Sequence, residues 1–530
     1  MTITQSSFSI EDGKYDDDGR MKRTGTWFTS SAHIVTAVIG SGVLSLAWAV
    51  AQLGWIGGTI VLILFSLVTL FTSILMADCY RYPDPIHGTR NPTYMKMVQN
   101  ILGGIQYKFC GLAQYTNLVG CTIGYTITGS ISMVAIKKSN CFHKEGHLAD
   151  CKISNYKFMA IFGIVEILLS LIPDFHELSW LSILAAVMSF GYASIGIGLS
   201  IAKVAEKGHH VTTSVTGIAV GVDVTSTEKM WNTFQAIGNI AFAYAFSNVI
   251  VEIQVSNFKQ IKCLIQFIVM LNSVLNTTIC QVSHLFCYIS NKIIMFTGLR
   301  YKQMLITFKL FLIQDTLKSS PPENQVMKKS NLTGITITTF FYALCGLVGY
   351  AAFGNKAPGN FLTGFGFYEP FWLVDIGNLF IVIHLVGAYQ VFGQPVFSLV
   401  ESWGNKRWPQ SKLVTQEYYV KIPLVGTWRM NMFRVIWRTL YVIFTTVIAM
   451  IFPFFNSVVG LLGAISFFPL TVYFPIEMYL TQAKVPKYSS IWIGMKLLSW
   501  FCLIVTLVAA VGSIEGIVTD LKTYKPFHSS

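Results

Sequence analysis

Charged side chains are scarce in this sequence. Asp, Glu, Lys and Arg make up 12% of its 530 residues, about half the share of soluble domains, which excludes an ordinary soluble enzyme. Several chemistry-bearing patterns are missing as well. No CxxC, HExxH or Walker loop occurs, so neither a metal centre of familiar spacing nor a nucleotide-driven motor is encoded. Paired carboxylates and a nucleophile with its base are not apparent, and no basic run interleaved with aromatics suggests nucleic acid. Residues 1–26 hold Glu11, Asp12, Asp16, Asp17 and Asp18 without an apolar core; they read as a disordered cytoplasmic tail and not as a signal peptide.

What is present is apolar length. Apolar residues make up 53% of the chain and the mean hydropathy is +0.55. A helix needs roughly 20 apolar residues to cross about 30 Å of hydrocarbon. Polar punctuation separates eleven such runs, at 27–53, 57–77, 109–136, 158–172, 178–202, 230–254, 331–353, 371–400, 439–455, 457–480 and 497–514. The expected fold is an all-α polytopic membrane protein of about eleven transmembrane helices. A further apolar region at 263–313 differs in composition and is set apart.

The net charge of +13 then concerns loops, because cytoplasmic loops collect Lys and Arg. With the N-terminus inside, the inner segments hold most of them, including Arg20, Lys22, Arg23, Arg81, Arg90, Lys328, Lys329, Lys406, Arg407, Lys412, Lys421, Arg429 and Arg434. Eleven spans place the C-terminal tail, 519–530, outside. Cys141 and Cys151 lie in the only polar loop with two cysteines, on the side assigned as extracellular, where a disulfide persists. The cysteines in or beside spans, Cys79, Cys110, Cys121, Cys345 and Cys502, read as small packing residues.

The first span runs HIVTAVIGSGVLSLAWAVAQLGW from His33 to Trp55, with Gly40-Ser41-Gly42 at mid-membrane depth. Two glycines around a serine weaken a helix. A break there frees the amides of Gly40, Ser41 and Gly42 for an anion, naturally a substrate carboxylate; the other reading is a small-residue face for helix packing. The sixth span, AIGNIAFAYAFSNVIVEIQ, places Asn239 and Ser247 among Gly238, Ala241, Ala243 and Ala245. Two interrupted spans five apart are the pattern of a five-plus-five inverted repeat of leucine-transporter type, with substrate held where the breaks meet. Ionisable groups within the runs are few: His33, Glu166, Glu252, Asp375, His384 and Glu477. His33 lies seven residues before Gly40 and suits a proton relay. Glu252 and Glu477 read as interfacial, and Glu166 and Asp375 as possible partners of polar groups on neighbouring helices.

Longer motifs carry a resemblance. TGTWFTSSAHIVTAVIGSGVLSLAWAVAQLGW, NLVGCTIGYTITGSISMVAIKKSNCFH, PDFHELSWLSILAAVMSFGYASIGIGL, WNTFQAIGNIAFAYAFSNVIVEIQ and HLVGAYQVFGQPVF resemble the plant amino acid permeases of the amino acid/auxin permease family, colinearly from about residue 25 to 527 except at one gap. The resemblance implies proton-coupled symport of amino acids across the plasma membrane on the five-plus-five fold with an eleventh span. It implies no cofactor beyond the proton gradient, and partners limited to amino acids, protons and the lipid bilayer; oligomeric state is not read from it. Carried over by position, substrate contact falls on Ile39, Gly40, Ser41 and Gly42 and, in the sixth span, on Asn239, Ile240, Ala243 and Ser247. The α-carboxylate meets free amides, and the α-ammonium meets carbonyl oxygens of unwound backbone. Family members often carry an acid where this chain has Asn239, so a changed preference among charged side chains is expected. The runner-up readings are a lysine/histidine-type or auxin-type carrier, or a non-transporting amino acid sensor.

The gap is residues 255–314, between helices one to six (27–254) and seven to eleven (315–518). These 60 residues contain no Asp, Glu, Pro, Ala or Trp and one glycine, Gly298, while Phe, Tyr, Met, Ile, Asn and Lys supply 29 of them. The codons of those six types are AT-rich. The block begins with Val and ends with Gln, whose codons can carry intron boundary letters. The block reads as a translated retained intron or a gene-model error, harmful to transport if present. Without it the chain has 470 residues and, six cations fewer, a net charge of +7.

Overall fold

The computed structural model describes residues 26–524 apart from 147–148, 173–178, 207, 209, 246–320, 367–369 and 423–425. The tail at 1–25, Ser247, Glu252, the block at 255–314 and residues 525–530 therefore lie outside the described residues, as does the side chain of His33. The chain is mostly helical: α1 (Trp27–Val38), α2 (Leu46–Cys79), α3 (Tyr94–Leu102), α4 (Gly104–Glu145), α5 (Asn155–Ser170), α6 (Ser179–Ala205), α7 (Ser226–Tyr244), α8 (Glu323–Ala343), α9 (Gly349–Phe353), α10 (Phe371–Arg407), α11 (Lys412–Thr415), α12 (Met432–Ile451), α13 (Phe455–Ser466), α14 (Phe474–Gln482) and α15 (Ser490–Thr523). Among the described residues, eight helical segments are long and apolar enough to cross a membrane. Helix is the form such runs take where no water can satisfy the backbone.

One of the eight, Ser41–Cys79 with 39 residues, holds the later part of the run at 27–53 and the whole of that at 57–77, and it is not straight. Gly54 sits at φ 77°, ψ 178°. A methyl group on Gly58 would lie 3.2 Å from Val50 Cα, whereas eight residues of straight helix rise about 12 Å. The chain doubles back there, so two spans are present. A loop straps the reversal: Trp55 N and Ile56 N donate to Ser214 O and Val215 O, and Ile218 N donates to Ala51 O. Lys229 Nζ donates to Gln52 O, Thr216 O and Ile218 O at 3.0, 2.6 and 2.8 Å. Gly217, at φ +81°, lies so close that a Cβ would fall 2.3 Å from Gln52 O, which only glycine allows.

The helices bury small and polar residues and turn large apolar ones outward. Along α15, Ser499, Cys502, Thr506, Ala509 and Ser513 are buried, while Leu497, Trp500, Phe501, Ile504, Leu507 and Val511 are exposed. Such an apolar exterior suits lipid, and small inward residues let helices approach closely. Backbones approach closely where α7 meets α13: a Cβ on Gly463 would meet Gly238 O at 2.1 Å and one on Gly238 would meet Gly460 O at 2.5 Å.

Charges gather at helix ends. The hairpin β1 (Arg81–Tyr82) to β2 (Thr89–Arg90) presents Arg81 and Arg90 to Glu323 at the start of α8, at 2.8 and 2.7 Å. Lys328 pairs with Asp78, and Arg438 with Glu401. A second hairpin, β3 (Glu417–Ile422) with β4 (Gly426–Asn431), links α11 to α12.

Cys141 and Cys151 form a disulfide with Cα atoms 6.1 Å apart. Glu145 lies beside both sulfurs, but bonded sulfurs offer no thiolate to a metal. The five remaining described cysteines are buried and form no disulfide. A closed loop of ten residues limits the unfolded chain by about 3 kcal/mol in the chain-entropy picture. Cys141→Ser is therefore expected to lower the melting point of the purified protein, and reduction should lower the wild type equally. A midpoint indifferent to both changes contradicts this role.

Candidate functional site

The first span breaks where its glycines stand. Helix α1 ends at Val38, Gly40 takes an extended conformation, and a 3-10 turn over Ser41–Ser45 leads into α2. Gly40 N donates to Val38 O at 2.8 Å and Val43 N to Gly40 O at 3.3 Å. The amides of Ser41 and Gly42 have no acceptor among the described residues. Ser41 and Gly42 are buried, so these amides form a dry donor pair at a helix start, the arrangement that holds carboxylates.

The break touches the sixth span. A Cβ on Gly42 would lie 2.9 Å from Ala243 Cα and 3.3 Å from the Phe242 ring. Helix α7 stops there, with Ala245 N turning back to Phe242 O. Ile39, Ile240 and Ala243 are buried in the same region. Asn239 faces elsewhere: its Oδ1 lies 2.8 Å from where a Gly460 Cβ would be, toward α13. Both polar atoms of its side chain are buried without a partner among the described residues. The structure thus joins Gly42 to Ala243 and sets Asn239 against α13.

The ionisable groups sort by place. Among those with described side chains, His384 on α10 comes nearest the break, with Nε2 4.0 Å from where a Gly40 Cβ would be. Its Nδ1 donates to Ala185 O at 2.8 Å, which leaves Nε2 as the nitrogen that accepts a proton. Tyr192 packs edge-on over the ring. His33 has its backbone in α1. Glu166 is fully buried on α5 and accepts from Gln390 Nε2 at 2.6 Å, so it partners a polar group on α10. Asp375 accepts from Asn140 Nδ2 at 2.7 Å near the disulfide end of α4, and Glu477 pairs with Lys496. An open cleft of about 370 Å³ lies at the strapped loop, between Trp55, His210, Val211, Thr212, Thr213 and Ala351.

Two features escaped the sequence reading. The seventh and tenth spans each contain a π-helical turn, Leu344–Val348 and Phe467–Tyr473; Gly346 and Pro469 are the only local signals. The hydroxyl of Tyr342 reaches Val38 O and Ala243 O, at 2.5 and 3.0 Å. A lone tyrosine inside an apolar run carries no sign of that in sequence.

The family model described as transmembrane amino acid transporter protein matches residues 23–290 and 305–519. The chain is 57% identical to Amino acid permease 6 of Arabidopsis thaliana over 516 residues, covering 97% of this chain and 95% of that protein. Amino acid permease 1 of the same plant is 55% identical over 514 residues, covering 97% and 93%. Lysine histidine transporter-like 1, also of Arabidopsis thaliana, is 26% identical over 513 residues, covering 95% and 91%. Helices built for lipid, a first span broken at its glycines and these near-full-length matches agree: the chain belongs to the transmembrane amino acid transporter family, among the plant amino acid permeases.

Proposed function

We propose that this protein is a proton-coupled amino acid symporter of the plasma membrane, working by alternating access on eleven spans arranged as a five-plus-five inverted repeat and one more. The N-terminus lies in the cytoplasm and the C-terminus outside. The observation that carries this reading is the contact of the broken first span with the end of α7, Gly42 against Ala243, beside the unpartnered amides of Ser41 and Gly42. Substrate is held there in carriers built on such repeats.

In this reading the α-carboxylate takes the amides of Ser41 and Gly42, with Ile39 and Gly40 shaping the turn. The α-ammonium takes carbonyl oxygens where α7 ends, near Ile240 and Ala243, and Asn239 and Ser247 of the same apolar run are the remaining contacts of this reading. His33, two turns before the break, couples the proton. His384 Nε2 faces the Gly40 turn, and a proton there adds a positive charge beside the carboxylate. The identity to the permeases, about twice that to the lysine/histidine-type relative, supports the permease reading over the runner-up.

The test is radiolabelled amino acid uptake in a transport-deficient yeast. His33→Ala is expected to abolish the rise of uptake with falling pH. A variant whose pH dependence matches the wild type removes His33 from the coupling step. Binding of amino acids without uptake by any form of the chain favours the sensor.

A further inference from the structure

The break in the first span and the end of α7 are joined by a side chain that belongs to neither. Val38 O closes α1 and Ala243 O stands one residue before the end of α7. Carbonyls at helix C-termini lack intrahelical partners and carry the negative end of the dipole. Both point at the hydroxyl of Tyr342 on α8, at 2.5 and 3.0 Å. Tyr342 is fully buried. The Tyr244 ring stands edge-on to it at 5.3 Å, and Tyr244 itself donates to Thr339 Oγ1, which shares a hydrogen bond with Ser66 Oγ. The phenol is thus held in place from α2, α7 and α8.

Convergent carbonyls from interrupted helices are the donor set that holds a coupling cation in carriers of this architecture. Here a neutral O–H fills the point of convergence. A phenol has one proton for two oxygens, so Val38 O, which also accepts from Gly40 N, and Ala243 O share that proton and the ends of α1 and α7 are linked through it.

We propose that Tyr342 is a positioning and ion-specificity residue. Its hydroxyl bridges the two half-helix ends so that they move together, and it occupies the place that a monovalent alkali cation would otherwise take. The part concerning movement rests on the transport reading above; the part concerning the cation does not. Removing only the hydroxyl takes the shared donor from both carbonyls, leaves Val38 O with Gly40 N alone, and unlinks the helices. Removing the ring as well leaves an oxygen-lined space of negative potential, which favours sodium.

Two measurements test this. In uptake assays with the full chain and the chain lacking 255–314, Tyr342→Phe is expected to lower the maximal rate at least about tenfold at equal surface abundance. In thermal unfolding of the purified full chain, the wild type should melt alike in sodium and choline chloride, whereas Tyr342→Ala should gain at least about 3 °C in sodium. Wild-type uptake by Tyr342→Phe overturns the bridge. A Tyr342→Ala protein indifferent to sodium overturns the cation place, and this readout stands even if Tyr342→Phe fails to reach the surface. Absence of uptake by every form including the wild type refutes the transport reading instead and leaves the melting result to decide the cation place.

Discussion

Removing residues 255–314 is expected to raise amino acid uptake at least about tenfold over the full chain. The segment separates α7 from α8, the helices that supply Ala243 and Tyr342 to the break in the first span. Its composition, without a single acid, proline or alanine, differs from everything around it. Within the segment the family match leaves out residues 291–304 and covers the rest. One extra span there inverts every later helix and carries the basic stretch at 403–434 to the wrong side, against the bias of inner loops toward Lys and Arg. Two extra spans keep the orientation but come between the sixth and seventh spans. Either way the bond from Tyr342 to Ala243 and the ion pairs of Glu323 with Arg81 and Arg90 must form across the insertion. We therefore propose that the transporting form runs from Gln254 directly to Asp315. Equal uptake by the two forms, or a dominant transcript encoding all 60 residues, contradicts this.

Gly42→Ala is expected to reduce uptake at least about tenfold while the protein still reaches the surface. Its Cβ would stand 2.9 Å from Ala243 Cα and 3.2 Å from Ala243 Cβ, closer than side chains tolerate. The obstacle is backbone, so α7 or the 3-10 turn must shift. Overpacking of this kind costs about 1–3 kcal/mol, and here the strain falls on the amides proposed to bind the carboxylate. Gly198→Ala is the control, since a Cβ there meets nothing within 4 Å; it should transport as the wild type does. A Gly42→Ala protein with unchanged KM and maximal rate removes the Gly42 contact from the substrate site.

The parts of this architecture legible in sequence are those with local causes. The apolar runs fall on helices because a span's length is set by the bilayer. Gly40-Ser41-Gly42 marks the break because glycine pays most for helical order, and the disulfide follows from two cysteines in one polar loop. What was not legible depends on distant contacts. His384 stood out as an ionisable group in an apolar run, but its approach to Gly40 across 344 positions is a product of packing. The strap of Lys229 on Gln52 O, Thr216 O and Ile218 O uses carbonyls, which have no letter in a sequence. Depth in the sixth span marks Asn239 as a candidate contact, but its approach to Gly460 on α13 is again a product of packing. Hydropathy could not separate α13 from α14, because the intervening π-helical turn is as apolar as the helices around it.

The central claim is that amino acid movement through this protein is driven by protons at the Gly40 break. Amino-acid-evoked current under voltage clamp, in cells expressing the chain with and without residues 255–314, tests it most directly. The account predicts an inward current that grows several-fold as external pH falls from about 7.5 to about 5.5, the range in which histidine titrates, and that is lost in Gly42→Ala. Uptake of labelled amino acid that is electrically silent and indifferent to pH over that range contradicts it.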